Sequence, residues 1–86
     1  MLETNPYIVY IVRCSDGTLY TGVTNDLDDR IRKHNQGRGA RYTRGRAPVT
    51  LLYTESVPGK SEALKREYEI KRLPRSQKLA LIQGSG

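Results

Sequence analysis

The chain has no phenylalanine and no tryptophan, and only one cysteine, one histidine and one methionine in 86 residues. The lone Cys14 rules out a disulfide within these residues and fits a reducing compartment, so a cytoplasmic setting is expected. The longest apolar run, Tyr7 to Val12, falls far short of the roughly 20 residues a membrane helix needs. Met1 to Pro6 lacks the charge pattern of a secretory leader. With two aromatic types absent, the six tyrosines must supply all aromatic packing, and most of their rings are expected to face the core. Acids are missing where cations are densest. Arg30, Arg32, Lys33, Arg38, Arg41, Arg44 and Arg46 lie between Arg30 and Thr54 with no Asp or Glu among them.

That segregation gives the net charge of +6 a meaning that an even spread would not have. A block of one sign favours a polyanion partner, DNA or RNA, through counterion release. The plainer alternative is a solvated surface with an excess of arginine. No basic stretch carries a strong apolar helical face, so no membrane partner is expected. The length suits a single domain over residues 1–86, with a core from about 7 to 82, and a monomer of moderate stability.

Tyr7 to Val12 is β-branched and aromatic and reads as a strand, with Leu19 to Thr24 as its antiparallel return after Ser15-Asp16-Gly17. A three-residue loop with Gly17 left-handed pairs Cys14 with Thr18, Val12 with Tyr20 and Tyr10 with Gly22, placing Tyr10 and Tyr20 on one face. A two-residue loop shifts the register by one and separates them. Asn25 or Asp26 caps a helix with acids in its first turn, Leu27 and Ile31 facing inward and Gly37 stopping it. A basic, glycine-rich connection runs to Arg46. Val49 to Val57 reads as a third strand. Ser61 is the expected cap of a helix from about Glu62 to Leu73, ended by Pro74. A short last helix, Ser76 to Gln83, is expected to pack Leu79 and Ile82, and Gly84-Ser85-Gly86 to fray.

Five residues could carry chemistry. Glu67 falls on the inward stripe of its helix, among Ala63, Leu64, Ile70 and Lys71. An acid there is costly unless it pairs with a nearby Arg or binds a metal, and a magnesium site needs no more than one or two carboxylates. Arg30 and His34 lie one helical turn apart and so stand one above the other. They could offer a guanidinium to a phosphate and a base or donor to an oxygen, although a histidine late in a polar helix is ordinarily exposed. Tyr10 and Tyr20 complete the set. No zinc spacing, Walker loop or dinucleotide fingerprint is present.

Val9-Tyr10-Ile11, Tyr20-Thr21-Gly22, Arg30, His34 and Glu67, in that order and spacing, resemble the GIY-YIG nuclease domain over roughly Tyr7 to Ile82. The first triplet stands as Ile8-Val9-Tyr10 in place of Gly-Ile-Tyr, the second as Tyr-Thr-Gly in place of Tyr-Ile-Gly. His34-Asn35-Gln36-Gly37, Gly39-Ala40, Tyr42-Thr43 and Pro48 look most like the Slx-type branched-DNA nucleases and the small stand-alone UPF0213 group. The N-terminal domain of the UvrC repair subunit is a further relative.

The resemblance implies an α+β fold, a three-stranded antiparallel sheet flanked by about three helices. It also implies an endonuclease dependent on Mg²⁺ (or Mn²⁺), acting on branched or single-stranded DNA in repair or recombination. By position Glu67 is the metal ligand, Gly22 the close-approach glycine, Arg30 the catalytic arginine and His34 the residue that follows it. One tyrosine, its pKa lowered near metal and Arg30, handles the attacking water: Tyr10 first, with Tyr20 and His34 as rivals. Lys33, Arg38, Arg41, Arg44 and Arg46 are expected on the nucleic-acid backbone, and Tyr42 either stacks on an unpaired base or packs. A non-catalytic binding module, or a catalytic subunit that needs a partner protein, are the alternatives.

Overall fold

A computed structural model describes residues 6–84; the expectations about residues 1–5 and 85–86 lie outside them. Strands β1 (Tyr7–Arg13), β2 (Leu19–Thr24) and β3 (Thr50–Val57) form one antiparallel sheet in the order β2-β1-β3. Helix α1 (Leu27–Asn35) follows β2, and α2 (Lys60–Lys71) and α3 (Arg75–Gly84) follow β3. A short 3₁₀ turn, Arg41–Thr43, interrupts the basic connection. Among the described residues no helix is long and apolar enough to cross a membrane.

The hairpin takes the odd register. Gly17 has φ +85°, a left-handed value that glycine adopts without steric cost. Cys14 N donates to Thr18 O at 2.8 Å. Tyr10 therefore stands opposite Gly22 and Val12 opposite Tyr20. A one-residue slip would have moved one tyrosine to the far face.

Central strand β1 is buried on both sides, and its alternation divides the core in two. Val9 and Ile11 pack with Tyr53, Ala63 and Ile70 under α2 and α3, joined by Leu81 and Ile82. Tyr10 and Val12 pack with Cys14 and Val49 against Leu27 and Ile31 of α1. Cys14 is a buried free thiol. Only Tyr10 and Tyr53 of the six tyrosines are buried, while Tyr42 and Tyr68 are 40% and 62% exposed. The aromatic core is thus smaller than expected, because aliphatic side chains of β1 fill most of it.

The helix ends correct several expectations. Asp26 caps α1, its carboxylate accepting from Asp29 N at 3.2 Å, and Gly37, with φ +75°, stops it as expected. Gly59, not Ser61, caps α2, and no side-chain cap bond is made there. The helix starts earlier for that reason, at Lys60. Leu64 and Leu79 are exposed rather than packed; the contacts of α3 are made by Leu81 and Ile82. Helix α3 runs on to Gly84, one residue beyond the expected end at Gln83. Glu55, after the basic block, is held by Arg66 of α2 through Nε and Nη2 (2.9 and 2.8 Å) and by the Tyr53 hydroxyl (2.5 Å), tying β3 to α2.

Candidate active site

Four of the five chemical side chains line one cleft of about 350 Å³: Tyr10 from β1, Tyr20 from β2, Arg30 from α1 and Glu67 from α2. The two tyrosines are placed by the hairpin register, and Arg30 by the helix that begins directly after β2. Glu67 belongs to a helix on the opposite face of the sheet, and it enters the cleft because β2 is an edge strand. Arg30 has no acidic partner among the described residues, so its charge is available to a ligand.

His34 does not line the cleft. It is fully buried behind it, contrary to the exposed position usual for a histidine in a polar helix. The signal was present, because Leu27, Ile31 and His34 follow one another at i, i+4, i+7 and form the inward stripe of α1. The Tyr10 hydroxyl lies 2.8 Å from His34 Nε2, and Thr43 Oγ1 lies 2.7 Å from His34 Nδ1. The threonine hydroxyl has one proton and gives it to Ala40 O at 2.9 Å, so toward the imidazole it can only accept. Nδ1 therefore carries the ring proton. Nε2 is the acceptor, and Tyr10 donates to it. Burial, and then the Arg30 charge, push the His34 pKa below its ordinary value and keep the ring neutral.

Two glycines make room for this chain of bonds. A Cβ on Gly22 would collide with the Tyr10 hydroxyl and lie 2.6 Å from its Cζ; one on Gly39 would collide with His34 Nδ1. What approaches Gly22 closely in the structure is Tyr10 itself. Gly39 and Thr43 are functional neighbours that the sequence reading left without a role. They belong to an irregular connection with no periodicity to point inward, and Ala40–Thr43 closes only as a 3₁₀ turn.

Within the chain alone, the surroundings of both phenols favour the protonated form. Burial raises the pKa of Tyr10, the neighbouring Tyr20 adds to that, and the opposing pull of Arg30 does not offset them. Tyr20 is also raised by burial, against the pull of Lys71. The chain by itself does not prepare either phenol as a phenolate.

Glu67 is 18% exposed at its side chain and pairs with Lys71, not with an arginine, through Oε2 at 3.0 Å. Among the described residues no three His, Cys, Asp or Glu side chains gather as a metal cluster. A hard divalent cation that keeps most of its waters fits a single carboxylate open to a cleft; a zinc-type ion does not. The cleft also holds Lys60, Asn25 and Tyr7. Lys60 escaped the sequence reading because Ser61 looked like the cap. With the helix begun two residues earlier, Lys60, Leu64, Glu67 and Lys71 fall at i, i+4, i+7 and i+11 on one stripe.

The expected nucleic-acid contacts divide. Arg46 pairs with Asp16 at 2.9 Å and donates to Tyr42 O at 2.6 Å, and Lys33 pairs with Asp29 at 3.1 Å. Arg38, Arg41 and Arg44 are exposed with no acidic partner among the described residues. The Tyr42 ring is stacked on Tyr20, centroids 5.8 Å apart and 19° between planes, and carries the Arg46 guanidinium 4.3 Å from its centroid. It packs. Tyr20 is consequently held between Tyr10, His34 and Tyr42 (centroids at 6.4, 5.5 and 5.8 Å).

The model of the GIY-YIG catalytic domain matches residues 6–80, which include every residue of the cleft. A UPF0213 protein of Halobacterium salinarum is 62% identical over 74 residues, 86% of this chain and 96% of that protein. One of Staphylococcus epidermidis is 58% identical over 77 residues, 90% of this chain and 94% of that protein. The solution structure of a UPF0213 protein from Bacillus halodurans superposes with a TM-score of 0.61 at 50% identity, covering 93% of this chain and 85% of that one. That of a protein from E. faecalis gives 0.65 at 37% identity, covering 98% and 90%. Phenols, guanidinium and carboxylate converge at one sheet edge in a chain matched almost end to end, and the chain belongs to the GIY-YIG nuclease family, within its UPF0213 group.

Proposed function

We propose that the protein is an endonuclease that hydrolyses DNA phosphodiester bonds with the help of Mg²⁺ or Mn²⁺. The convergence of Tyr10, Tyr20, Arg30 and Glu67 from four separate elements on one cleft carries the reading. Branched or single-stranded DNA, as met in repair or recombination, is the substrate class that the family resemblance suggests.

Glu67 would hold the cation, which when bound polarises the scissile phosphate and stabilises the departing oxygen. Arg30 places its unpaired charge where the pentacoordinate phosphate gains charge, an effect typically worth about 3–4 kcal/mol. Tyr10 keeps its oxygen lone pairs for the attacking water because its own proton is directed at His34. As the water loses a proton to the Tyr10 oxygen, the phenol proton passes transiently along the existing hydrogen bond to Nε2 of His34, the unprotonated ring nitrogen it already faces. Thr43 holds the imidazole in the one tautomer that permits this. Tyr20 positions the nucleophile from the other side. A relay of this kind works through a neutral phenol and needs no lowered Tyr10 pKa.

The test is a gel assay of single-stranded, flap, Holliday-junction and duplex DNA with and without Mg²⁺ or Mn²⁺. Metal-dependent cleavage that disappears in Glu67→Ala, with DNA binding retained, is expected. Equal cleavage by that variant would sink the proposed site, and binding without cleavage on every substrate would leave only a nucleic-acid-binding module.

A further inference from the structure

A second recess, of about 390 Å³, opens on the far side of Tyr20 from the cleft. Leu19, Tyr20, Thr21 and Tyr42 form its wall, and Lys71 and Lys78 bring it two ammonium groups from α2 and α3. It wraps the free edge of β2 and shares the Tyr20 ring with the cleft. Lys71 stands at the division: it pairs with Glu67 on the cleft side and lies 5.6 Å from the Tyr20 centroid on the other. Lys78 has no acidic partner among the described residues. A largely apolar wall carrying two cations and no acid matches a nucleotide, with a flat or ribose surface against the wall and a phosphate on the ammonium groups. An acidic peptide would gain only the charges.

We propose that this recess is a nucleotide subsite, which holds the residue of the nucleic-acid strand next to the phosphate in the cleft, with its own phosphate on Lys71 and Lys78. The inference rests on the reading of the cleft as a phosphodiester site and adds the path of the strand beyond it. The strand follows the edge of β2, and the stripe of α2 gives its direction: Lys60 at the cleft end, Glu67 at the middle and Lys71 at the recess, where Lys78 of α3 joins it. From Lys60 to Lys71 the helix advances about 16 Å, long enough for more than one phosphate of the same strand. The arginines of the 38–46 connection are then contacts for the rest of the substrate.

The test uses the full chain and a 5′-fluorescein-labelled thymidine octamer in EDTA, read by anisotropy over a range of salt concentrations. Lys78→Gln is expected to weaken binding about three- to tenfold and to reduce the slope of log K against log salt by about 0.7, the loss of one phosphate contact on a single strand. Lys65→Gln removes the same charge from an exposed part of α2 outside the recess, and is expected to change binding less than about twofold. Amide shifts on titrating the wild-type protein with the octamer should include Leu19, Thr21 and Lys78. The proposal is overturned if Lys78→Gln behaves like Lys65→Gln, or if those amides stay still while others move. Both readouts are independent of cleavage. An octamer that maps to the recess while no substrate is cut with either metal removes the nuclease reading and leaves the subsite standing.

Discussion

Tyr10 and His34, on β1 and α1, are joined by a buried hydrogen bond of 2.8 Å in which the phenol donates and the imidazole accepts. The direction of that bond follows from Thr43, whose only proton is spent on Ala40. Tyr10→Phe keeps the ring and removes the donor. We expect it to reduce the rate of cleavage at saturating substrate by about 10²-fold or more and to leave oligonucleotide affinity within about twofold. Single-turnover kinetics beside anisotropy separate the two, and a loss confined to affinity would rule out the relay.

The burial of neutral His34 also makes stability depend on pH. Its pKa is lowered on folding, so below the ordinary histidine range the unfolded chain binds a proton that the folded chain refuses. Stability is therefore full above about pH 6.5 and falls as the pH drops below that value. Urea unfolding at pH 7.5 and pH 5 should show a lower midpoint at pH 5, and His34→Gln should remove most of the difference while lowering both midpoints. The carboxylates Asp16, Asp29 and Glu55, whose pKa values are also depressed by their partners, contribute their stability above about pH 4 and lose it only below. That window is separate.

Gly22→Ala places a methyl group where the Tyr10 hydroxyl lies. The overpacking should cost about 1–3 kcal/mol and displace the phenol from His34. Gly39→Ala presses on the same imidazole from the other side. Both should lower the unfolding midpoint, whereas Gly84→Ala, with open space around it, should not. A Gly22→Ala variant of wild-type stability would contradict the placement of the Tyr10 ring.

Arg66→Ala removes the partner of a carboxylate that also accepts from Tyr53. We expect a loss of about 2 kcal/mol, measured by chemical unfolding, and no change in the metal dependence of cleavage, because Arg66 and Glu55 do not line the cleft.

Lys60→Ala should do the reverse. Lys60 is exposed and forms no ion pair among the described residues, so stability should stay within about 0.5 kcal/mol. Substrate affinity should fall several-fold at low salt and recover relative to wild type as salt is raised.

What could be read in advance was whatever depends on local chemistry. Asp16-Gly17 and the β-branched runs announce the hairpin, but whether its loop has two or three residues, and so whether Tyr10 and Tyr20 share a face, is decided only by the left-handed Gly17 seen in the structure. Asp26 and Gly37 mark the ends of α1, and hence the position of Arg30. Thr43 and Gly39 were illegible because their role exists only once the connection folds back over α1. Lys60 was hidden by a cap residue that the chain does not use. Lys71 shares the stripe of Glu67 one turn on, but spacing alone does not distinguish that pairing from one with an arginine of another element. The phenol pKa could not be foreseen, because it depends on how deep the ring lies and β1 is covered on both faces.

Among the described residues nothing pairs with the outer side of strand β2, and such an edge ordinarily invites a strand from another molecule, the first step of aggregation. Here Lys60, Lys71 and Lys78 stand around it, while the strand itself runs for only six residues. A second copy bringing the same edge alongside would set lysine against lysine. The charge that would attract a polyanion thus also discourages the protein from polymerising with itself, and lets a reactive edge remain uncovered.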